Sequence, residues 1–225
     1  MLHRGDLWWH PSVVSWLVRY LRSSVGAKHV MAVTGLLLLL FAIVHMIGHL
    51  QMFGGPGMYN AYANFLQQLW EVKWPVRAGL LALLIIHVVV AVGLVARNRA
   101  ARPVGYAVYR PQRSSIVGRS MALSGLILLA FLIFHIIHFT INPTHHGDAY
   151  TMFVVAFQNK LYYAVYFVGI ALLAAHLGHG ASSWLQSLGW RHPKYPADKL
   201  GPAIAVFLFV GYMVPPTAVL FGAIA

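Results

Sequence analysis

Histidine is the residue type in this chain with the widest chemical reach. Thirteen of the 225 residues are histidine, and seven fall inside long apolar stretches: His45, His49, His87, His135, His138, His176 and His179. Neutral imidazole binds haem iron and transition metals, and an ionisable side chain within a bilayer is costly enough to suggest a function. A lone intramembrane histidine is more often a hydrogen bond between helices than a ligand. That reading weakens when histidine recurs in four successive stretches. Other chemistries are thinly supplied. The four acids, Asp6, Glu71, Asp148 and Asp198, are scattered, leaving no carboxylate pair for hydrolysis and no cage for a hard cation. With no cysteine, disulfides, thiolate-held iron–sulfur clusters and covalently attached haem c are excluded.

Two axial ligands of one iron must lie at the same depth, so spacing tests which histidines can pair. His45 follows Lys28 by 17 residues and His135 follows Arg119 by 16, which puts both about 24–26 Å along their helices. His87 precedes Arg97 by ten residues and His176 precedes Arg191 by fifteen. By count His179 matches His87 better, unless the fourth stretch continues past the membrane surface, in which case His176 does. Four helices around two haems, each held by two of the helices, are an efficient use of a bundle core. The chain also repeats itself: Thr34-Gly35 precedes His45 by ten residues from the glycine, and Ser124-Gly125 precedes His135 in the same way. Each glycine then lies about 15 Å from its histidine, near the depth of the other pair. It makes room there for the edge of a flat macrocycle or serves close helix packing.

The elements that position these residues are membrane helices. Of the residues, 60% are apolar or aromatic and only 9% charged, against about a quarter charged in soluble domains. A net charge of +12 on such a chain is not the signature of a nucleic-acid binder, which carries its charge over a soluble core. Runs of about 20 apolar residues predict five spans, at 30–52, 78–96, 120–141, 161–181 and 203–225, in an all-α membrane protein forming a single membrane domain over 1–225. Thirteen cations would lie on one face: Arg4, Arg19, Arg22, Lys28, Arg97, Arg99, Arg102, Arg110, Arg113, Arg119, Arg191, Lys194 and Lys199. Only Lys73, Arg77 and Lys160 would lie on the other. The positive-inside rule places the N-terminus in the cytoplasm and the C-terminus outside. Within the N-terminal segment 1–29, residues 12–22 align Val13, Trp16, Leu17 and Tyr20 on one stripe, as in an interfacial helix or a frayed start to the first span. Residues 59–72 read as a second interfacial helix, and Pro215-Pro216 is expected to kink or break the fifth span.

The runs SSVGAKHVMAVTGLLLLLFAIVHMIGHL, LLIIHVVVAVGLVAR, GRSMALSGLILLAFLIFHIIHFT and AAHLGHGASSWLQSLGW, in this order, resemble the five-helix, two-haem cytochrome b subunit of succinate:quinone oxidoreductase and fumarate reductase. The resemblance covers the chain from about Ser23 onward. It implies that the first four helices form a bundle around two haems b, with His45 and His135 the axial ligands of the distal haem and His87 and His176 those of the proximal one. It implies a flavoprotein (FAD) subunit and an iron–sulfur subunit on the cytoplasmic face of a bacterial or archaeal membrane, and a membrane quinone, menaquinone for the two-haem single-chain form, as the redox partner. His49 stands where relatives often carry asparagine. Ala174 stands where some relatives carry a glutamate tied to proton movement, which puts such a route in doubt here.

Arg19, Arg22, Lys28, His29 and Arg119 are candidate partners for haem propionates, alongside their topological role. Ser24 and Lys28 resemble the inner quinone pocket of related complexes, and Tyr59, Tyr62 and Glu71 frame an alternative outer site. Fumarate reduction is the rival direction. A proton-relaying transporter is the rival class, and it predicts broken helices or charged residues at mid-membrane.

Overall fold

The computed structural model describes residues 13–101, 103–104, 116–141, 143–190 and 197–225, and all regular structure among them is helical. Arg4, Arg102, Arg110, Arg113, Arg191 and Lys194 of the cation count lie outside the described residues. Five helices are long and apolar enough to cross a membrane, which makes this a multi-pass membrane protein. In chain order the elements are α1 (Val13–Arg22), α2 (Ser24–Leu50), α3 (Gly55–Gln68), α4 (Trp70–Ala100), the short α5 (Ile116–Arg119), α6 (Met121–Ile136), α7 (Ala149–Gln158), α8 (Lys160–Ser187) and α9 (Ala197–Leu220). A 3₁₀ turn (Gln51–Gly54) follows α2, and a π turn (Ile137–Ile141) extends α6.

Side-chain caps set several starts. Ser23 accepts from the Gly26 amide ahead of α2, and Asn159 accepts from Leu161 and Tyr162 ahead of α8. The helices overrun the expected spans because a spanning helix continues until its backbone groups find water or a cap. Thus α4 starts at Trp70 rather than 78 and α8 runs to Ser187 rather than 181. The expected helix over 59–72 is divided: α3 ends at Gln68, and Leu69, with ψ of 59°, separates it from α4. The double proline does not break α9, which continues as helix to Leu220. Pro215 and Pro216 are both almost fully buried, so packing holds the last turn despite two missing donors.

α2 lies at the centre, packed on α1, α4, α8 and α9, while α6 packs mainly on α8 and α9 lies along α8. Two apolar cores form, one around Met52, Phe153, Phe157 and Tyr166 and the other around Leu39, Met46, Ala174 and Leu208. α4 buries none of its residues and α6 buries only Ser124. Large apolar side chains such as Val44, Val89, Leu126, Val168 and Val206 point outward, as the lipid-facing surface of a membrane protein requires. On α1, Trp16 and Leu17 are exposed and Trp16 stacks on Tyr20 at 5.6 Å.

α7, which has no counterpart among the expected elements, is held by a polar junction. Asp148 caps it, accepting from the Thr151 hydroxyl at 2.6 Å and the Thr151 amide at 3.0 Å. Asn60 on α3 donates to the same carboxylate at 2.9 Å and accepts from the Tyr150 amide. The Thr151 hydroxyl, then the Thr151 amide and Asn60, hold the Asp148 carboxyl below the usual carboxylate range, at about 2. A depressed folded pKa means that the stabilisation is complete above the unfolded value of about 4 and is lost as the pH falls through the folded one. Comparing melting of wild type and Asp148→Asn in detergent from pH 5 to pH 2, the wild-type advantage should shrink between pH ~4 and ~2. An advantage independent of pH would contradict the assignment.

Candidate functional site: paired histidines between the helices

The repeated Thr-Gly and Ser-Gly pairs sit directly against the histidines of the following span. A Cβ built on Gly35 would lie 3.3 Å from His87 Cε1, and one on Gly125 would lie 3.5 Å from His176 Cε1. Each glycine therefore seats an imidazole of the neighbouring helix. The residue before each glycine supplies a hydroxyl: Thr34 Oγ1 is 3.0 Å from His87 Nδ1, and Ser124 Oγ is 3.4 Å from His176 Nδ1.

Proton accounting favours one direction for these bonds. The Thr34 hydroxyl already donates to the Val30 carbonyl at 2.8 Å, and the Ser124 hydroxyl to the Met121 carbonyl at 3.1 Å. Each hydroxyl has one hydrogen; with it on the helix carbonyl, Nδ1–H of His87 and of His176 is the donor to the hydroxyl oxygen. A neutral imidazole protonated at Nδ1 presents a bare Nε2 lone pair, the form that binds a metal. His87 and His176 are within electrostatic reach of each other, with His179 next to His176.

His45 and His135 form a second pair, ring centres 5.9 Å apart. Two imidazoles bound through nitrogen to one metal at about 2 Å place their centres roughly 6 Å apart. The surroundings are aromatic: Phe41 stacks on His45 at 5.5 Å, Tyr212 lies 6.2 Å away, and Phe131 and Phe139 flank His135. Tyr212 is fixed by donating to the Ala42 carbonyl at 2.6 Å. His45 departs from the expectation of a free ligand nitrogen, because its Nε2 meets Nε2 of His49 at 3.2 Å. Residues four apart share a helix face, and the Tyr59 hydroxyl, 2.9 Å from His49 Nδ1, holds His49 there. A metal at His45 would have to displace that bond. Among the described residues, Nε2 of His87, His135 and His176 makes no such contact.

Among the described residues, no group of three or more His, Asp or Glu is placed to hold a bare metal ion. What the helices offer is pairs of imidazoles, suited to a metal whose other ligands come from a macrocycle. The ring separation of His45 and His135 and the hydroxyl partners of His87 and His176 are compatible with imidazole ligation of an iron porphyrin, though Nε2 of His45 is otherwise engaged.

The remaining candidates lie at the two ends. Ser24 and Lys28 are exposed on α2, and a cavity of about 250 Å³ at that end is lined by others: Tyr20, Leu21, Gly26, His29, Val30, Val33 and Thr34. The Tyr20 hydroxyl meets His29 Nδ1 there at 2.8 Å. Arg19 and Arg22 end α1 and Arg119 ends α5, while Arg97 donates to the Arg22 carbonyl at 3.0 Å, tying α4 to α1. At the other end Tyr59 is buried, Tyr62 lies against Gly48, and Glu71 is exposed in the first turn of α4. The hydroxyls of Thr34 and Ser124 were visible in the repeat, though spacing alone did not reveal their role. Tyr166, whose hydroxyl lies 3.1 Å from His138 Nδ1 and 3.4 Å from His135 Nδ1, has no sequence signal. Comparison with protein-family models, curated proteins and solved structures yields no match.

Proposed function

We propose that this chain is the membrane-anchor cytochrome b subunit of a succinate:quinone oxidoreductase, in which two haems b carry electrons between a partner iron–sulfur subunit and a membrane quinone. The observation that carries the reading is the two-fold use of one device. Two pairs of intramembrane histidines come from alternate helices, one pair at the ring separation of ligands on a common metal, the other with Nδ1 beside hydroxyls of a repeated motif. Haem supplies a one-electron carrier tuned by its axial ligands and their hydrogen bonds.

The chain's own residues have definite tasks in this proposal. Thr34 and Ser124 hold the tautomers of His87 and His176 and raise their basicity. The aromatic shell of Phe41, Phe131, Phe139 and Tyr212 keeps water from the His45–His135 pair. Lys28 and Arg119, with Arg19, are at the end suited to anionic propionates of the His87–His176 haem. With the cation-rich end in the cytoplasm, the flavoprotein and iron–sulfur subunits dock there. The quinone, menaquinone in this proposal, reacts at one of the two ends, and the direction of working is succinate oxidation.

A dithionite-reduced-minus-oxidised spectrum with haem quantitation on the purified protein tests the reading. Two b-type haems per chain are expected, and a chain without haem would sink it. Co-purification with a flavoprotein and an iron–sulfur protein separates this assignment from a dihaem cytochrome serving another dehydrogenase.

A further inference from the structure

Two of the intramembrane histidines, His135 and His138, converge on one hydroxyl. Tyr166 is 4% exposed, and its ring is clamped by Phe131 at 5.3 Å, Phe157 at 5.0 Å and Phe139 at 5.7 Å. Its hydroxyl reaches His138 Nδ1 at 3.1 Å and His135 Nδ1 at 3.4 Å. His138 lies in the π turn that begins two residues after His135, and π turns concentrate at functional sites. Nothing in the electron-transfer reading uses Tyr166 or His138.

The hydroxyl has one hydrogen and faces two imidazole nitrogens. If His135 binds a metal through Nε2, its Nδ1 carries the hydrogen and must donate. The Tyr166 oxygen accepts that bond, and its own hydrogen goes to His138 Nδ1. The result is a directed chain from His135 through Tyr166 to His138. An acceptor at Nδ1 makes an imidazole a stronger donor to its metal, and a hydroxyl that is itself donating accepts more strongly.

We propose that Tyr166 is a positioning residue for the metal ligand His135, and that His138 acts through it to set the electron affinity of the group held by His45 and His135. This rests on the two-haem reading. A better-donating imidazole favours the oxidised metal, so the pair Tyr166–His138 holds the potential of that haem below the value it would have without them.

Redox titration of the purified full-length chain, following both haems optically, tests this in wild type, Tyr166→Phe, His138→Leu and the double variant. Tyr166→Phe removes only the hydroxyl. It should raise the potential of the His45–His135 haem by a roughly tenfold change in its redox equilibrium, about 59 mV for a one-electron couple, with the other haem unmoved. His138→Leu should shift the same haem in the same direction but less, and the double variant should match Tyr166→Phe alone. Should Tyr166→Phe fail to fold, the selective shift in His138→Leu still decides. Two haems whose potentials stay put or move together in these variants would overturn this proposal alone. A wild-type chain without two haems would overturn the reading it rests on as well.

Discussion

On the proposed two-haem reading, replacing His135 with alanine is expected to cut the haem content of the purified chain from two per polypeptide to one. His135 stands opposite His45, ring centres 5.9 Å apart, on helices that otherwise have little contact at that point. A chain without cysteine holds haem only through coordination and packing, so a pair reduced to one imidazole loses most of its hold. The surviving partner is compromised further, because His45 Nε2 is already within 3.2 Å of His49 and in the variant has nothing to draw it away. The other pair should be unaffected. His87 is seated by Gly35 and Thr34, and His176 by Gly125 and Ser124, none of which touches His135. His87→Ala should show the converse loss. Pyridine haemochrome quantitation against protein concentration reads both. Loss of both haems from a variant that melts like wild type would contradict independent pairs, and retention of both would remove His135 from the ligand set.

Gly178→Leu should destabilise the bundle by about 1–3 kcal/mol or more through overpacking. Among the described residues α8 and α9 make the most extensive helix contact, and they meet backbone to backbone. A Cβ on Gly178 would lie 2.7 Å from the Gly201 carbonyl oxygen and 2.8 Å from the Ala205 Cβ. A flexible side chain can turn away, but a carbonyl oxygen in a helix cannot move without its helix. The two spans must then separate, and small residues at such crossings are what close packing in membranes depends on. Gly180, two residues on, would place its Cβ in open space. Gly180→Leu is therefore the matched control, with the same added side chain on the same helix. Thermal unfolding in detergent should show a drop in melting temperature for Gly178→Leu and little change for Gly180→Leu. Since His176 and His179 flank Gly178, the first functional loss, on the proposed two-haem reading, should be the haem assigned to the His87–His176 pair.

Much of the scaffold was readable from the residues. Apolar runs of about 20 residues leave a chain few alternatives to spanning helices, because in lipid every backbone group must be satisfied within its own helix. Their ends were less readable, since α4 and α8 run on into segments whose composition is mixed. α7 escaped notice because ten residues, AYTMFVVAFQ, suit a short strand or a loop as well as a helix. What makes it a helix is Asp148 capping it while Asn60, 88 residues earlier, holds the cap in place.

By itself the sequence determined that this is a membrane protein of helices, that histidine recurs in four of its spans, and that a Thr-Gly and Ser-Gly repeat recurs at a fixed distance from two of those histidines. Composition and helical periodicity are local properties and survive without any knowledge of neighbours. The tertiary structure alone decided what each imidazole faces. Thr34 and Ser124 face Nδ1 of His87 and His176, Tyr59 turns His49 onto His45, and Tyr166 joins His135 to His138. The tautomer of a histidine depends on a hydrogen-bond partner many residues away, and only the packing of one helix against another chooses that partner.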